Sequence, residues 1–207
     1  MILGFPGRTF RYRTSSEIQL AKDETLPLTM KLFKTRMDIM EAAGKHNRAV
    51  EIKFASRWRS LANTYKNYMG TLEGMQRSDV LNERLANEAS LRTFLSSKPE
   101  LQNNYGSILA DIAKAQDDLK SFNQQQIVMG QLLSGVDVLR IASQFKDYAN
   151  SFVKDSASGD MKPTEKSTTG LNDFLTTTFK IVDVSVDKEI LSALLSIDRK
   201  STRLNSS

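Results

Sequence analysis

The sequence predicts a mainly α protein, an irregular bundle of antiparallel helices with one short strand at its N-terminal end. Three observations lead there. Leu, Ala, Met, Lys, Glu and Gln are plentiful while aromatic residues make up only 8%, a balance that favours helix. Apolar residues return every three or four positions through most of the chain, the period of an amphipathic helix. Helix start and stop signals separate these stretches, among them Thr14-x-x-Glu17, Gly44 and Pro99, each of a type that caps or breaks a helix.

Residues 1–5 form a short apolar run closed by Pro6-Gly7, which reads as a strand entering a tight turn. Thr14 or Ser15 caps the first helix, whose stripe of Leu26, Met30, Phe33, Met37 and Met40 ends near Gly44. Methionines at that spacing read as adaptable core filling. A second helix spans about residues 48–75, with Phe54, Ala55, Trp58, Leu61, Ala62, Tyr65, Met69 and Leu72 on its apolar face. A third follows Ser78-Asp79 and carries Leu81, Leu85, Leu91 and Leu95. Pro99 opens a fourth, on which Tyr105, Ile108, Ile112, Ala115 and Leu119 share a face. A fifth is expected over about 124–153, buried along Val128, Leu132, Leu139, Ala142, Phe145, Ala149 and Phe152 and weakened at Gly130 and Gly135. Residues 154–163 (KDSASGDMKP) read as a loop, followed by short helices around 170–179 and 186–195. No fixed-period repeat is present.

With 207 residues, 40% of them hydrophobic, the chain suffices for one domain with a core. The absence of cysteine removes disulfides, thiolate metal sites and thiol nucleophiles. Of the net charge of +5, Asp198, Arg199, Lys200 and Arg203 supply +2; elsewhere bases and acids interleave, as on a solvated surface and unlike a nucleic-acid stripe. No apolar run approaches the ~20 residues of a membrane span, and the opening residues lack the apolar stretch of a leader. Residues 198–207 (DRKSTRLNSS) resemble the translation of a common DNA-sequencing adapter, which places them outside fold reasoning. Genuine sequence then stops near Ile197, inside the apolar run Ile190, Leu191, Leu194 and Leu195, and that helical face is expected to lack part of its packing.

The search for chemistry returns no catalytic residue, no metal ligand set and no cofactor site. His46, the single histidine, sits in a polar junction between two helices and reads as solvent-exposed. No serine occupies a Gly-x-Ser-x-Gly elbow, and no phosphate-binding glycine loop appears. One pattern stands apart. Ser56, Ser60, Asn63 and Asn67 recur at spacings of four, three and four, on the side of the second helix opposite Trp58, Leu61, Tyr65 and Met69. This uncharged strip reads either as wet surface or as the lining of a cleft, where an Asn carbonyl accepts hydrogen bonds from an ammonium group.

Gly4-Phe5-Pro6-Gly7-Arg8-Thr9-Phe10-Arg11-Tyr12, followed by Thr14-Ser15, resembles the GfPGrT-x-RY-x-TS signature of the bacterial dipeptidyl peptidase 7 and dipeptidyl peptidase 11 family. Ala55-Ser56-Arg57-Trp58 and Ala62-Asn63-Thr64-Tyr65-Lys66-Asn67, then Gly70, resemble that family's NYxKN helix. Phe179-Lys180, Asp187-Lys188 and Ala193-Leu194-Leu195 are similar to its FKDY…D-x-K…ALL stretch. The resemblance implies an internal fragment of a serine dipeptidyl aminopeptidase, which releases dipeptides from peptide N-termini in the periplasm. Residues 1–15 would then be a strand and loop remnant of a chymotrypsin-like double β-barrel, and residues 16–197 the inserted helical cap. By motif position, Asn63 would bind the substrate's α-amino group, with Ser56, Ser60 and Asn67 as neighbours. The family's aspartate, histidine and GNSGSP-type serine motifs are missing, so the piece is expected to be inactive alone. Expected partners are peptide substrates, the catalytic barrel of the same chain and, for the full enzyme, a second copy; nucleic acid and membrane are not expected. The competing reading is a free-standing helical protein-interaction module.

Overall fold

The computed structural model describes residues 12–154 and 159–204. The strand expected at residues 1–5 lies outside them, as does most of the 1–15 segment. Helix dominates, and the only sheet among the described residues has two strands, so the chain is mainly α. It divides into two compact units, Met1–Pro27 with Tyr68–Gln124, and Leu28–Asn67 with Gln125–Ser207.

The first unit opens with α1, Ser15–Leu20. Thr14 is its cap: the Glu17 N–H donates to Thr14 Oγ1 at 3.4 Å and the Thr14 N–H donates to Glu17 Oε2 at 2.7 Å, a reciprocal capping box. A π-helical turn, Ala21–Thr25, leads into α2, Leu26–Gly44. Pro27 explains the wide turn. It has no N–H to donate, and its ring would strike the carbonyl four residues back in a regular helix. In the π-turn the Leu26 N–H reaches back to the Ala21 carbonyl, which widens the backbone just before the proline.

α4, Val80–Ser96, and α5, Pro99–Tyr105, belong to the same unit. On α4 only Leu95 of the expected stripe is buried, Leu85 and Leu91 being exposed. The buried charged residue there is Glu88. It accepts from the Ser15 N–H at 2.6 Å and the Ser15 hydroxyl at 2.8 Å, so a carboxylate from α4 sits at the positive end of α1.

In the second unit α2 buries Leu32, Phe33, Met37, Ile39 and Met40, and with them Arg36. Gly44 ends the helix where a Cβ would lie 3.0 Å from Glu51 Cα. Asn47 Oδ1 then accepts from the Ala49 and Val50 N–H groups at 3.1 and 3.3 Å, capping α3, Arg48–Arg77. Phe54, Leu61 and Ala62 are buried on α3, whereas Trp58 and Met69, expected on the buried stripe, are 37% and 40% exposed.

The expected break near residue 120 is absent. α6 runs unbroken over Ile108–Gly135 because Lys120 to Asn123 contain no breaker, and α7 covers Asp137–Asn150. Between them Val136 is extended (φ −106°, ψ 115°) and buried. This interruption resets the helical phase. Val128 and Leu132 are buried as expected, but Ala142, Phe145 and Ala149 turn outward.

The expected loop at 154–163 contributes a small hairpin, β1 Phe152–Lys154 pairing antiparallel with β2 Met161–Pro163, in the register Phe152↔Pro163 and Val153↔Lys162. α8, Glu165–Phe179, starts at Thr164, whose hydroxyl oxygen accepts from the Ser167 N–H. α9 covers Val184–Leu204. The face expected to lack packing is partly closed: Ile190 and Leu194 are fully buried and Leu191 half-buried, with Leu195 and Val184 exposed.

Two substitutions test these joints. Glu88→Ala leaves the Ser15 donors without their acceptor and lowers stability by about 1–3 kcal/mol; Gly44→Ala pushes a methyl against Glu51 backbone and does the same. Urea denaturation reads both.

Candidate functional site

The uncharged strip lies where its spacing placed it. Ser56, Ser60, Asn63 and Asn67 are all exposed on α3, within roughly 16 Å along one helix face. Phe54, Leu61 and Ala62, buried on the opposite side, fix which face points outward. The Thr64 hydroxyl, beside the strip, is turned to the Ser60 carbonyl at 3.1 Å. An open groove of about 890 Å³ runs along another flank, between α2 and α3, lined by Met40, Gly44, Phe54, Ala55 and Trp58 among charged residues. None of the four strip residues lines it. His46 is exposed in the α2–α3 turn. Among the described residues no group of His, Cys, Asp or Glu is placed to hold a metal ion, and no helix is long and apolar enough to cross a membrane.

Sequence reasoning missed the charge cluster behind this helix. Asp137, in the first turn of α7, is fully buried. Arg57 on α3 grips it with both terminal nitrogens: Nη1 donates to Oδ2 and Nη2 to Oδ1, each at 2.9 Å. Arg140 adds a third donor to Oδ1 at 3.0 Å. The Arg57 guanidinium also lies 5.7 Å from the Phe54 ring centroid, and that of Arg140 lies 5.5 Å from the ring of Phe174 on α8, both within cation–π range.

Val136, at the N-cap of α7, offers no capping side chain. Asp187 of α9 does the work from outside: the Val138 N–H donates to its Oδ2 at 2.9 Å, and the Asp137 N–H is a second partner. Burial raises the Asp187 pKa, the Asp137 charge adds to the rise, and these N–H groups and Arg57 oppose it.

Arg36 completes the cluster. Its Nη1 donates to Gln131 Oε1 at 2.7 Å, while its Nε is buried without an acceptor. Burial above all, then the neighbouring Arg57 and Arg140 charges, pull it down to about 10, which leaves it a cation at neutral pH. Gly135 makes room for it: a Cβ there would stand 2.6 Å from Arg36 Cζ. Signals for the cluster were present in Gly135-Val136-Asp137, a break followed by an acid, and in Arg57 and Asp187, both inside motifs already singled out.

Residues 1–206 match the sequence model of the family described as Peptidase S46. The chain belongs to the Peptidase S46 family. Among curated relatives it is similar to a protein named dipeptidyl-peptidase 7 from Capnocytophaga gingivalis, 33% identical over 74% of this chain and 20% of that protein. A dipeptidyl-peptidase 7 from Porphyromonas gingivalis is 26% identical over 97% of this chain and 26% of its own length. An Asp/Glu-specific dipeptidyl-peptidase from Shewanella putrefaciens is 30% identical over 50% of the chain and 14% of that protein. This S46 chain thus spans about a quarter or less of the length of these relatives.

Asp137→Asn removes the counter-charge of two largely buried arginines and costs about 3–5 kcal/mol in stability, measurable by chemical denaturation. The Asp187 pKa is raised, so its contribution to stability is fullest when it is protonated and falls as pH climbs through the raised value. Asp187→Asn stays neutral and can still accept from the Val138 N–H. Wild type therefore loses stability relative to this variant as pH rises from the ordinary carboxylate range towards neutrality, as paired urea titrations across that range would record.

Proposed function

We propose that this chain is the helical, substrate-capping part of a longer serine dipeptidyl aminopeptidase, in which Asn63 binds the free α-amino group of the peptide. The observation that carries the reading is the place of Asn63. It is exposed in the middle of an uncharged strip on α3, inside the sequence motif that resembles the family's NYxKN helix. Support for the reaction class comes from S46 membership and from relatives named as dipeptidyl-peptidases.

The chemistry is that of an end-recognising peptidase. A carbonyl acceptor held at a fixed distance from the nucleophile pairs with an ammonium. An internal peptide brings no such charge and leaves the acceptor unsatisfied. Carrying the acceptor on a separate helical part would let substrate binding and cleft closure proceed together. The nucleophile, its base and its orienting acid belong, in this reading, to the catalytic barrel elsewhere in the parent, a periplasmic enzyme; the piece alone has no peptidase activity. Relatives named dipeptidyl-peptidase 7 and Asp/Glu-specific dipeptidyl-peptidase both match this chain, and in this reading residue choice beside the scissile bond is set elsewhere in the parent.

A second reading, a helical module that binds a partner protein, is favoured by Ile108, Leu119 and Phe122, which expose apolar side chains on α6. Sequencing outward from the gene separates the two. A frame that continues into histidine, aspartate and Gly-x-Ser-Gly motifs supports the peptidase. A start codon before Met1 and a stop after Ser207 would favour the module. In the full enzyme Asn63→Ala should raise KM for a dipeptidyl substrate with a free amino group by about tenfold or more, the worth of a charged hydrogen bond. An unchanged KM would remove Asn63 from the site.

A further inference from the structure

We infer that Arg57 is a positioning residue for Asn63, holding α3 in register through Asp137. The inference rests on the proposed role of Asn63 and concerns what keeps that side chain in place. Between Arg48 and Asn67, α3 buries only Phe54, Leu61 and Ala62. Apolar contacts of this kind hold a helix down but are non-directional, so they resist sliding or rolling weakly. The Arg57 fork is directional: two parallel hydrogen bonds of 2.9 Å meet a carboxylate that has no solvent exposure, and a planar guanidinium accepts few other geometries.

Asp137 is itself fixed, because its helix start is held by Asp187 of α9. One turn before Arg57, Lys53 Nζ donates to the Val182 carbonyl at 3.1 Å and lies 3.9 Å from Asp183. Arg57 and Lys53 therefore tie one flank of α3 to the starts of α7 and α9. Asn63 follows six residues after Arg57, about 9 Å further along the axis, and its height and rotation are set by that tie. A buried ion pair is a poor source of stability compared with an apolar pair, and its best-attested use is to fix registry.

The test uses the full-length enzyme with Asn63→Ala, Arg57→Lys and the double variant, assayed on a fluorogenic dipeptidyl amide with a free α-amino group. Lysine keeps the charge and loses the fork. The expected result is a KM raised by Arg57→Lys nearly as far as by Asn63→Ala, with kcat little changed. The double variant should be no worse than Asn63→Ala alone, the non-additivity of two residues acting as one. Asp137→Glu, which keeps both charges and moves the carboxylate by one methylene, should shift KM the same way. Single-variant effects that multiply in the double variant would overturn the inference, as would variants at 57 and 137 that lower Tm and leave KM untouched. A flat response to Asn63→Ala would sink the ammonium-binding reading itself, and the positioning role with it.

Discussion

The second unit depends on one fully buried carboxylate. Asp137 receives three hydrogen bonds from two arginines on two helices, and its own backbone is held by a fourth charged residue on a third helix. Remove the acid, and Arg57 and Arg140 face each other with no counter-charge between them. Keep it, and the start of α7 becomes the point from which α3 and α9 take their bearings. Gly135 follows from the same constraint, because Arg36 crosses where any larger residue would put a Cβ. Desolvating so much charge costs stability, and what is gained is a geometry that apolar packing alone does not specify.

Both units use the same device at a helix start. In one, Glu88 of α4 accepts from Ser15 at the first turn of α1; in the other, Asp187 of α9 accepts from Val138 at the first turn of α7. The unsatisfied N–H groups and the partial positive charge of a helix start make a carboxylate the natural partner. In each case it arrives from another helix, and so a capping contact is also a tertiary one. The Thr14-Ser15 pair thereby does two jobs: Thr14 closes the local box with Glu17, and Ser15 reaches across to Glu88.

Much of this was legible in the sequence, for identifiable reasons. The helix start at Thr14 or Ser15 and the Pro99 start depend on neighbours within four residues and were read correctly; the end of α2 was read from Gly44 itself, although what crowds that position is Glu51 on the next helix. So was the outward strip of α3, since a helix of known period turns residues 56, 60, 63 and 67 the same way. The failures are non-local. Trp58 and Met69 share the apolar period, yet nothing in that period says whether another element covers them. The outward turn of Phe145 follows from the break at Val136, which Gly135 announced only as a weak spot. The partnership of Arg57 with Asp137 joins residues 80 positions apart, and the burial of Arg36 depends on a missing Cβ 99 residues away. No local pattern encodes either.

The cap of α7 also bears on the order of assembly. During synthesis α7 leaves the ribosome with Val136 at its start and no side chain of its own to satisfy its first N–H groups. The acid that does so lies 49 residues further on. Until Asp187 has been made, the first N–H groups of α7 are left to water, although Arg57 and Arg140 are already there to meet the Asp137 carboxylate. The second unit, built from two stretches separated by residues 68–124, therefore lacks the cap of α7 until α9 is in place.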